Sequence, residues 1–179
     1  MRTPASARDI DVLAAGSLIP LKRYDLFVEV VAEIKKEIRN VKATLAGDGP
    51  ERKKLESLIE KSGLGNNILM TGELPHSQVL RLMQRTKVFL HPSSYEGFGV
   101  VCLEALYAGA HVISFCKPMK KEILHWNTVN DKEQMVCKTL EMLQNPKSDH
   151  SAVAPYLMSE SVKAIAEIFN FGDRSPATV

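Results

Sequence analysis

Cysteine is scarce in this sequence, and neither sign of charge dominates it. The three cysteines, Cys102, Cys116 and Cys137, form no Cys-x-x-Cys pair and no cluster with metal-ligand spacing. We therefore exclude a disulfide scaffold, expect no metal, and expect a reducing, cytoplasmic compartment. Lysine and arginine number 23 against 21 acidic residues, a formal net charge of +2. Such a balance lacks the broad positive field of a nucleic-acid-binding domain, so no nucleic-acid partner is expected.

Long apolar segments and two phosphate-binding signatures are also missing. The first ten residues, MRTPASARDI, carry charge with no apolar segment behind them, so no signal peptide is predicted. The weakly charged stretch at 97–116 contains Glu104 and is divided by Gly109, which indicates a buried helix followed by a buried strand rather than a membrane span. No Gly-x-Gly-x-x-Gly and no Gly-x4-Gly-Lys-Ser/Thr occurs, which argues against NAD and P-loop nucleotides.

Short apolar strands alternate with amphipathic helices along most of the 179 residues. The predicted strands are 11–19, 43–46, 67–71, 88–91, 112–115 and a weak one near 128–129. The predicted helices are 25–38, 51–61, 77–85, 100–107, 132–143 and 159–169. This alternation predicts an α/β fold, a Rossmann-like doubly wound parallel sheet of six strands in the order 3-2-1-4-5-6. We place the domain at 11–170, after an N-terminal extension at 1–10 and before a loose tail at 171–179.

The predicted strand order locates a ligand site. Between strands 1 and 4 the direction of winding reverses, and ligands bind at the carboxyl ends of such strands. The loops found there are 16–23 and 91–99. Topology therefore brings together five residues that are distant in sequence, namely Gly16, Lys22, Ser93, Glu96 and Gly99.

The first of these loops has features of an anion site. Gly16 and Ser17 follow the strand, and Lys22 comes shortly afterwards. Backbone amides can approach an anion at such a turn while the ammonium group neutralises it. The alternative is a tight turn beside an ordinary solvated lysine.

The second loop leads directly into a helix, whose first amide groups attract phosphate. Gly97 and Gly99 permit close approach of the backbone, and the side chain of Glu104 leans back toward the same place. Glu96 and Glu104 would accept hydrogen bonds from hydroxyl groups on the two flanks of a phosphate, as a sugar nucleotide offers. Equally open is a structural role, with Glu104 as a helix-dipole carboxylate and Glu96 as a loop cap.

The segment EGFGVVCLE resembles the Glu-x7-Glu signature of retaining glycosyltransferases with the GT-B fold, most closely glycosyltransferase family 4, the group 1 glycosyltransferases. Other segments match that family in the same order, and the resemblance covers roughly 11–146. The matching segments are the glycine loop with its lysine at 16–22, the turn at 47–50, the glycine at 72 and the Pro-Ser pair at 92–93.

The resemblance implies a role for each matching residue. Glu104 would bind the ribose and Glu96 the donor sugar, while Lys22 and the amides near Gly16 and Gly99 would bind the diphosphate. Glu96 and Lys22 would be the catalytic residues. The implied donor-binding residues are Gly16, Ser17, Lys22, Arg23, Gly47, Glu73, Leu74, Ser93, Gly97, Phe98, Gly99, Val100 and Glu104, with Glu73 and Leu74 at the nucleobase.

Two segments depart from the family pattern. Ser17 stands where the family usually has an arginine, so half of the cationic clamp is missing or is supplied by Arg23. The stretch at 116–122 lacks the usual glycine pair before Glu122, which leaves the role of that glutamate open. Its three lysines, at 117, 120 and 121, form either a solvated face or a patch that meets anionic lipid.

The implied function is donor binding in a retaining, metal-independent, hexosyltransferase-type glycosyltransferase that takes a UDP- or GDP-linked sugar and no further cofactor. The acceptor would be a glycan or a lipid-linked molecule, as in polysaccharide biosynthesis. The chain resembles the C-terminal half of a two-domain enzyme, so an N-terminal acceptor domain is an expected partner, and the whole enzyme would touch the inner face of the membrane peripherally. The alternatives are a non-catalytic sugar-nucleotide-binding or regulatory module, and an epimerase or phosphorylase.

Three minor candidates remain. Asp9-x-Asp11 resembles a metal-binding motif, but it precedes a strand where that motif should follow one. His91 is either a packed histidine at a strand end or a ligand contact. His125 and Trp126 are interpreted as packing residues beneath the sixth strand.

Overall fold

In the computed structural model, residues 8–97, 99–116 and 122–154 are described. The strands within them are β1 (Ile10–Ala15), β2 (Ala43–Ala46), β3 (Ile68–Gly72), β4 (Thr86–His91), β5 (His111–Ser114) and β6 (Trp126–Thr128). The helices are α1 (Tyr24–Glu37), α2 (Arg52–Lys61), α3 (His76–Gln84), α4 (Val100–Tyr107) and α5 (Lys132–Gln144), with a 3-10 turn at Pro20–Lys22.

The six strands form one parallel sheet in the order β3-β2-β1-β4-β5-β6. This is the predicted Rossmann-like, doubly wound topology, and it is confirmed. The chain begins at β1 in the middle, winds outward to β3, then returns to β4 on the other side of β1. The carboxyl ends of β1 and β4 are therefore adjacent, with the loops that follow them side by side.

Both faces of the sheet are buried. Along β1, Val12 and Ala14 pack into one hydrophobic cluster and Leu13 and Ala15 into another, as the two-residue period of a strand requires. The first cluster includes side chains of α1, α2 and α5, and the second includes side chains of α3 and α4. Helices on both faces explain why the strands read as continuous apolar runs rather than alternating ones.

The sequence misplaced several boundaries. β1 ends at Ala15 rather than at residue 19, because Gly16 turns with φ of +145° and a 3-10 turn follows. β6 begins two residues earlier than predicted, so Trp126 lies within the strand, where its indole N–H donates to Ser114 Oγ at 2.8 Å. The predicted helix at 159–169 and the tail at 171–179 lie outside the described residues.

The predicted N-terminal extension at 1–10 ends too late. Ile10 already belongs to β1, and Arg8 is 4% exposed. The Arg8 guanidinium donates hydrogen bonds to the carbonyl oxygens of Met83, Thr86 and Ala108, which ties this residue to α3, β4 and the end of α4. In the described part of the chain, no helix is long and apolar enough to cross a membrane.

Candidate functional site

A cavity of about 560 Å³ opens at the carboxyl ends of β1 and β2, beside the loop that follows β4. Ten of the residues singled out from the sequence line it, and those ten are Gly16, Ser17, Lys22, Gly47, Glu73, Leu74, Glu96, Gly99, Val100 and Glu104. The topology thus brings both loops and both glutamates to one place, as predicted. A second cavity, of about 480 Å³, lies between α2 and the edge strand β3, away from the switch point of the sheet.

Two glycines shape the floor of the cavity. Gly47 has φ of +147°, and a Cβ atom there would overlap the carbonyl oxygen of Gly16. The amide of Gly16 donates to Ala46 O and that of Gly47 to Gly72 O, each at 2.9 Å. The loops after β1 and β2 therefore approach so closely that a side chain at position 47 has no room.

Lys22 and Glu96 form an ion pair inside the cavity. The Nζ atom of Lys22 lies 2.9 Å from Oε2 of Glu96, and their side chains are 20% and 17% exposed. Partial burial would raise the pKa of Glu96, but hydrogen bonds from Lys22 and His91 outweigh it and lower the pKa below its ordinary value. Glu96 is therefore a carboxylate at neutral pH, with Lys22 as its positive partner.

His91 contacts the same carboxylate oxygen from beneath. It ends β4, its side chain is 2% exposed, and its Nε2 lies 2.8 Å from Oε2 of Glu96. Burial lowers the pKa of His91, and the charge of Lys22 lowers it further, against the opposing effect of Glu96. The imidazole is thus neutral at neutral pH and donates from Nε2. His91 is the packed histidine of the two alternatives, since it does not line the cavity.

Glu104 lies on α4, one turn into the helix, and its side chain is 26% exposed. Its Oε1 accepts a hydrogen bond from Nε2 of His76 at 2.8 Å. The N-terminus of α4 borders the cavity as well, because Gly99 caps the helix with φ of +73° and lines the wall together with Val100 and Val101. The first amide groups of a helix have no partners within it, so they are available to an anion.

Three predicted donor-binding residues do not line this cavity. Ser93 is buried, and its hydroxyl donates to Tyr95 O at 2.7 Å and Leu21 O at 3.2 Å, so it joins the two loops instead. Arg23 adopts φ of +51° and pairs with Asp25 at 3.5 Å, which leaves its guanidinium outside the wall. Gly97 is exposed beyond the rim. Phe98 lies outside the described residues.

The sequence reasoning missed His76 and assigned no role to Asp48. Both line the cavity with Ala15, Ala46, Val79 and Val101. Asp48 follows β2 and His76 begins the helix after β3, so the rule that selected the ends of strands 1 and 4 also applies to the ends of these neighbouring strands. The Asp48 side chain accepts a hydrogen bond from Arg52 at 3.0 Å.

The cavity combines one cation with several carboxylates. Lys22, the glycine turns and the start of α4 suit an anionic group, whereas Glu96, Glu104 and Glu73 suit hydroxyl or amide donors. No group of three or more histidine, cysteine, aspartate or glutamate residues in the described ranges is arranged to hold a metal ion. The arrangement therefore matches a ligand with an anionic centre and hydroxyl groups on both sides of it.

Residues 2–154 match the family described as glycosyl transferases group 1, and the chain belongs to that family. The phosphatidylinositol N-acetylglucosaminyltransferase gpi3 subunit of Schizosaccharomyces pombe is 36% identical over 110 residues, which are 62% of this chain and 24% of that protein. The 2-deoxystreptamine N-acetyl-D-glucosaminyltransferase of Niallia circulans is 34% identical over 103 residues, 58% of this chain and 26% of that protein. The chain thus matches about a quarter of the length of these relatives.

Solved structures share the fold at lower identity. TarM of S. aureus superposes with a TM-score of 0.72 at 21% identity, over 93% of this chain and 34% of that one. The C-terminal domain of the glycosyl transferase group 1 protein LpcC from Francisella tularensis gives 0.67 at 20% identity, over 80% of each chain. The described domain therefore has the fold of one half of a GT-B glycosyltransferase, as the sequence resemblance implied.

Proposed function

We propose that this chain is the donor-binding domain of a retaining, metal-independent glycosyltransferase that uses a nucleotide-diphosphate sugar. The observation that carries the proposal is the cavity in which Lys22 and two loop amide clusters lie between Glu96 and Glu104. Its volume, about 560 Å³, suits a ligand of this size.

The diphosphate occupies the centre of the cavity in this proposal. Lys22 and the amides near Gly16 and Gly99 bind it, and the diphosphate replaces Glu96 as the partner of the Lys22 ammonium group. The same contacts stabilise the negative charge that develops on the leaving diphosphate during sugar transfer. Proton transfer to that leaving group is then not required, and fixed charges supply the catalysis.

The two glutamates bind the ends of the ligand. Glu104 accepts hydrogen bonds from the ribose, Glu96 accepts them from the donor sugar, and Glu73 with Leu74 borders the nucleobase. Supporting this orientation, Glu96 lies beside Lys22 whereas Glu104 lies beside His76 on α3, close to the loop after β3. His91 holds Glu96 in place from the protein interior.

The names of the relatives bear on the substrates. Two of those relatives are N-acetylglucosaminyltransferases, and another is an alpha-D-kanosaminyltransferase. These names support a UDP- or GDP-linked hexose or amino sugar as donor, and a glycan or lipid-linked acceptor. We place acceptor binding on a separate N-terminal domain and the whole enzyme in the cytoplasm, peripheral to the membrane. The isolated chain binds donor and transfers no sugar, because half of the active-site cleft is absent.

Calorimetric titration of the 179-residue chain with UDP and GDP, each with and without EDTA, tests the proposal. We expect one of the nucleotides to bind with an affinity that EDTA does not change. The Lys22→Met variant should weaken that binding by about 10- to 150-fold, the value of a charge-assisted hydrogen bond. Lys53→Met removes the same charge from an exposed site on α2 and should leave the affinity within about twofold. Absence of nucleotide binding, or equal effects of the two variants, would contradict the proposal.

A further inference from the structure

The carboxylate of Glu104 has a histidine partner to which the proposed function gives no role. Nε2 of His76 lies 2.8 Å from Oε1 of Glu104, and both residues line the cavity. Among the described residues, His76 is the one side chain that hydrogen-bonds this carboxylate. The His76 side chain is 67% exposed, so the contact lies at the open rim.

The backbone fixes the position of His76 in spite of this exposure. It is the first residue of α3 and follows Pro75, whose ring restricts the turn from β3 into the helix. One turn later, Val79 also lines the cavity, and Met83 near the end of α3 is fully buried in the core. The rotation of α3 about its axis is therefore set by packing, and His76 faces the rim as a consequence.

Glu104 needs such a partner if its carboxylate is to bind a ligand in one orientation. A glutamate side chain has three rotatable bonds, and ordering them upon ligand binding costs conformational entropy. The imidazole Nε2–H donates to Oε1 before any ligand arrives, which leaves Oε2 and the second lone pair of Oε1 free to accept. Two neighbouring acceptor oxygens fit the two adjacent hydroxyl groups of a ribose.

We propose that His76 is a positioning residue that holds the Glu104 carboxylate for a ribose diol and thereby sets a preference for ribonucleotides over 2′-deoxyribonucleotides. This role rests on the proposed function, since it presupposes that a nucleotide occupies the cavity with its ribose at Glu104. It adds a determinant of specificity outside the Glu-x7-Glu segment, on a different helix.

The test compares the dissociation constants of UDP and 2′-deoxy-UDP, with GDP and 2′-deoxy-GDP in parallel. In the wild-type chain we expect the ribonucleotide to bind more tightly. His76→Ala should weaken the ribonucleotide by about 3- to 10-fold and leave the deoxyribonucleotide nearly unchanged, so that the preference shrinks. His76→Gln keeps a donor near the position of Nε2 and should restore the preference to within about twofold of wild type. Ser77→Ala, at the exposed neighbouring position, controls for effects on the start of α3.

The Glu104→Ala background separates this role from the proposed function. If both hold, Glu104→Ala abolishes the preference for ribose, and adding His76→Ala changes nothing further. A preference that depends on Glu104 and is unaffected by His76→Ala overturns the role of His76 alone. Equal weakening of both nucleotides by His76→Ala overturns it too, since it would indicate contact with the base or the phosphates. Absence of binding by every nucleotide overturns the proposed function and this role with it.

Discussion

Lys22 and Glu96 are 74 positions apart in the sequence, yet Nζ of the lysine lies 2.9 Å from Oε2 of the glutamate. The first belongs to the 3-10 turn after β1 and the second to the loop after β4. The pair therefore joins the two loops at the switch point of the sheet. It also holds together, before ligand binds, the residues that we assign to the diphosphate and to the donor sugar.

The pKa of Glu96 should depend on Lys22. In the wild-type protein partial burial raises this pKa, but hydrogen bonds from Lys22 and His91 outweigh the burial and keep the pKa below its ordinary value. The Lys22→Met variant removes the larger of these bonds and leaves the burial, so the pKa should rise. The depressed pKa stabilises the fold above the unfolded-state pKa, and this contribution is lost as the pH falls. Carbon-13 NMR titration of the Glu96 carboxyl group measures the change, and an unchanged pKa in Lys22→Met would contradict it.

Three glycine substitutions should separate backbone strain from steric overlap. Gly47→Ala combines φ of +147° with a clash against the Gly16 carbonyl, and we expect a loss of more than about 2 kcal/mol in the free energy of unfolding. Gly63→Ala has φ of +65° and open space, so it should lose about 1 kcal/mol. Gly65→Ala has neither feature and should change stability by less than about 0.5 kcal/mol. Urea unfolding gives all three values, and an equal cost for Gly47→Ala and Gly65→Ala would refute the close contact.

Stability should fall on acidification because of a cluster of three histidines. The ring of His111 lies 4.4 Å from that of His125 and 5.1 Å from that of His150, measured between centroids. Burial lowers the pKa of His111 to about 4, with a further contribution from these two neighbours, while Asp149 opposes the shift. The unfolded chain therefore binds a proton first, so stability present above pH about 6.5 is lost as the pH falls toward 4.

A shift of this size corresponds to about 3 kcal/mol at the acid end. Urea unfolding between about pH 7.5 and about pH 4.5 measures the loss. His111→Gln removes the titrating group, so the slope of the free energy of unfolding against pH should become shallower even if the variant is less stable overall. An unchanged slope in His111→Gln would show that other groups govern the acid response.

The strand order and the location of the cavity could be predicted from the sequence alone. Apolar runs separated by amphipathic helices indicate a parallel sheet covered on both faces, and the switch point then follows from the strand order. This reasoning brings Lys22 and Glu96 together without any knowledge of side-chain geometry. The strand at 43–46 and the helix at 100–107 are also predicted with the bounds that the structure has.

Side-chain orientation within loops could not be predicted in the same way. Ser93 lies in the loop that the strand order assigns to the ligand, but its hydroxyl turns inward to two carbonyl oxygens. Arg23 takes a left-handed backbone conformation, which few residues other than glycine adopt, and it pairs with Asp25. The contact between His76 and Glu104 depends on the packing of α3 against α4, and no local pattern in the sequence encodes it.

The central claim is that one ligand, a nucleotide-diphosphate sugar, spans the cavity from Glu104 to Glu96. The most direct measurement is calorimetric titration of Glu104→Ala and Glu96→Ala with UDP and with UDP-N-acetylglucosamine. Glu104→Ala should raise both dissociation constants by about 10- to 150-fold, whereas Glu96→Ala should raise that of the sugar nucleotide alone. The contradicting result is a Glu104→Ala variant that binds both ligands as tightly as wild type and loses only about 0.3–1 kcal/mol of stability, the behaviour of a carboxylate that merely interacts with a helix dipole.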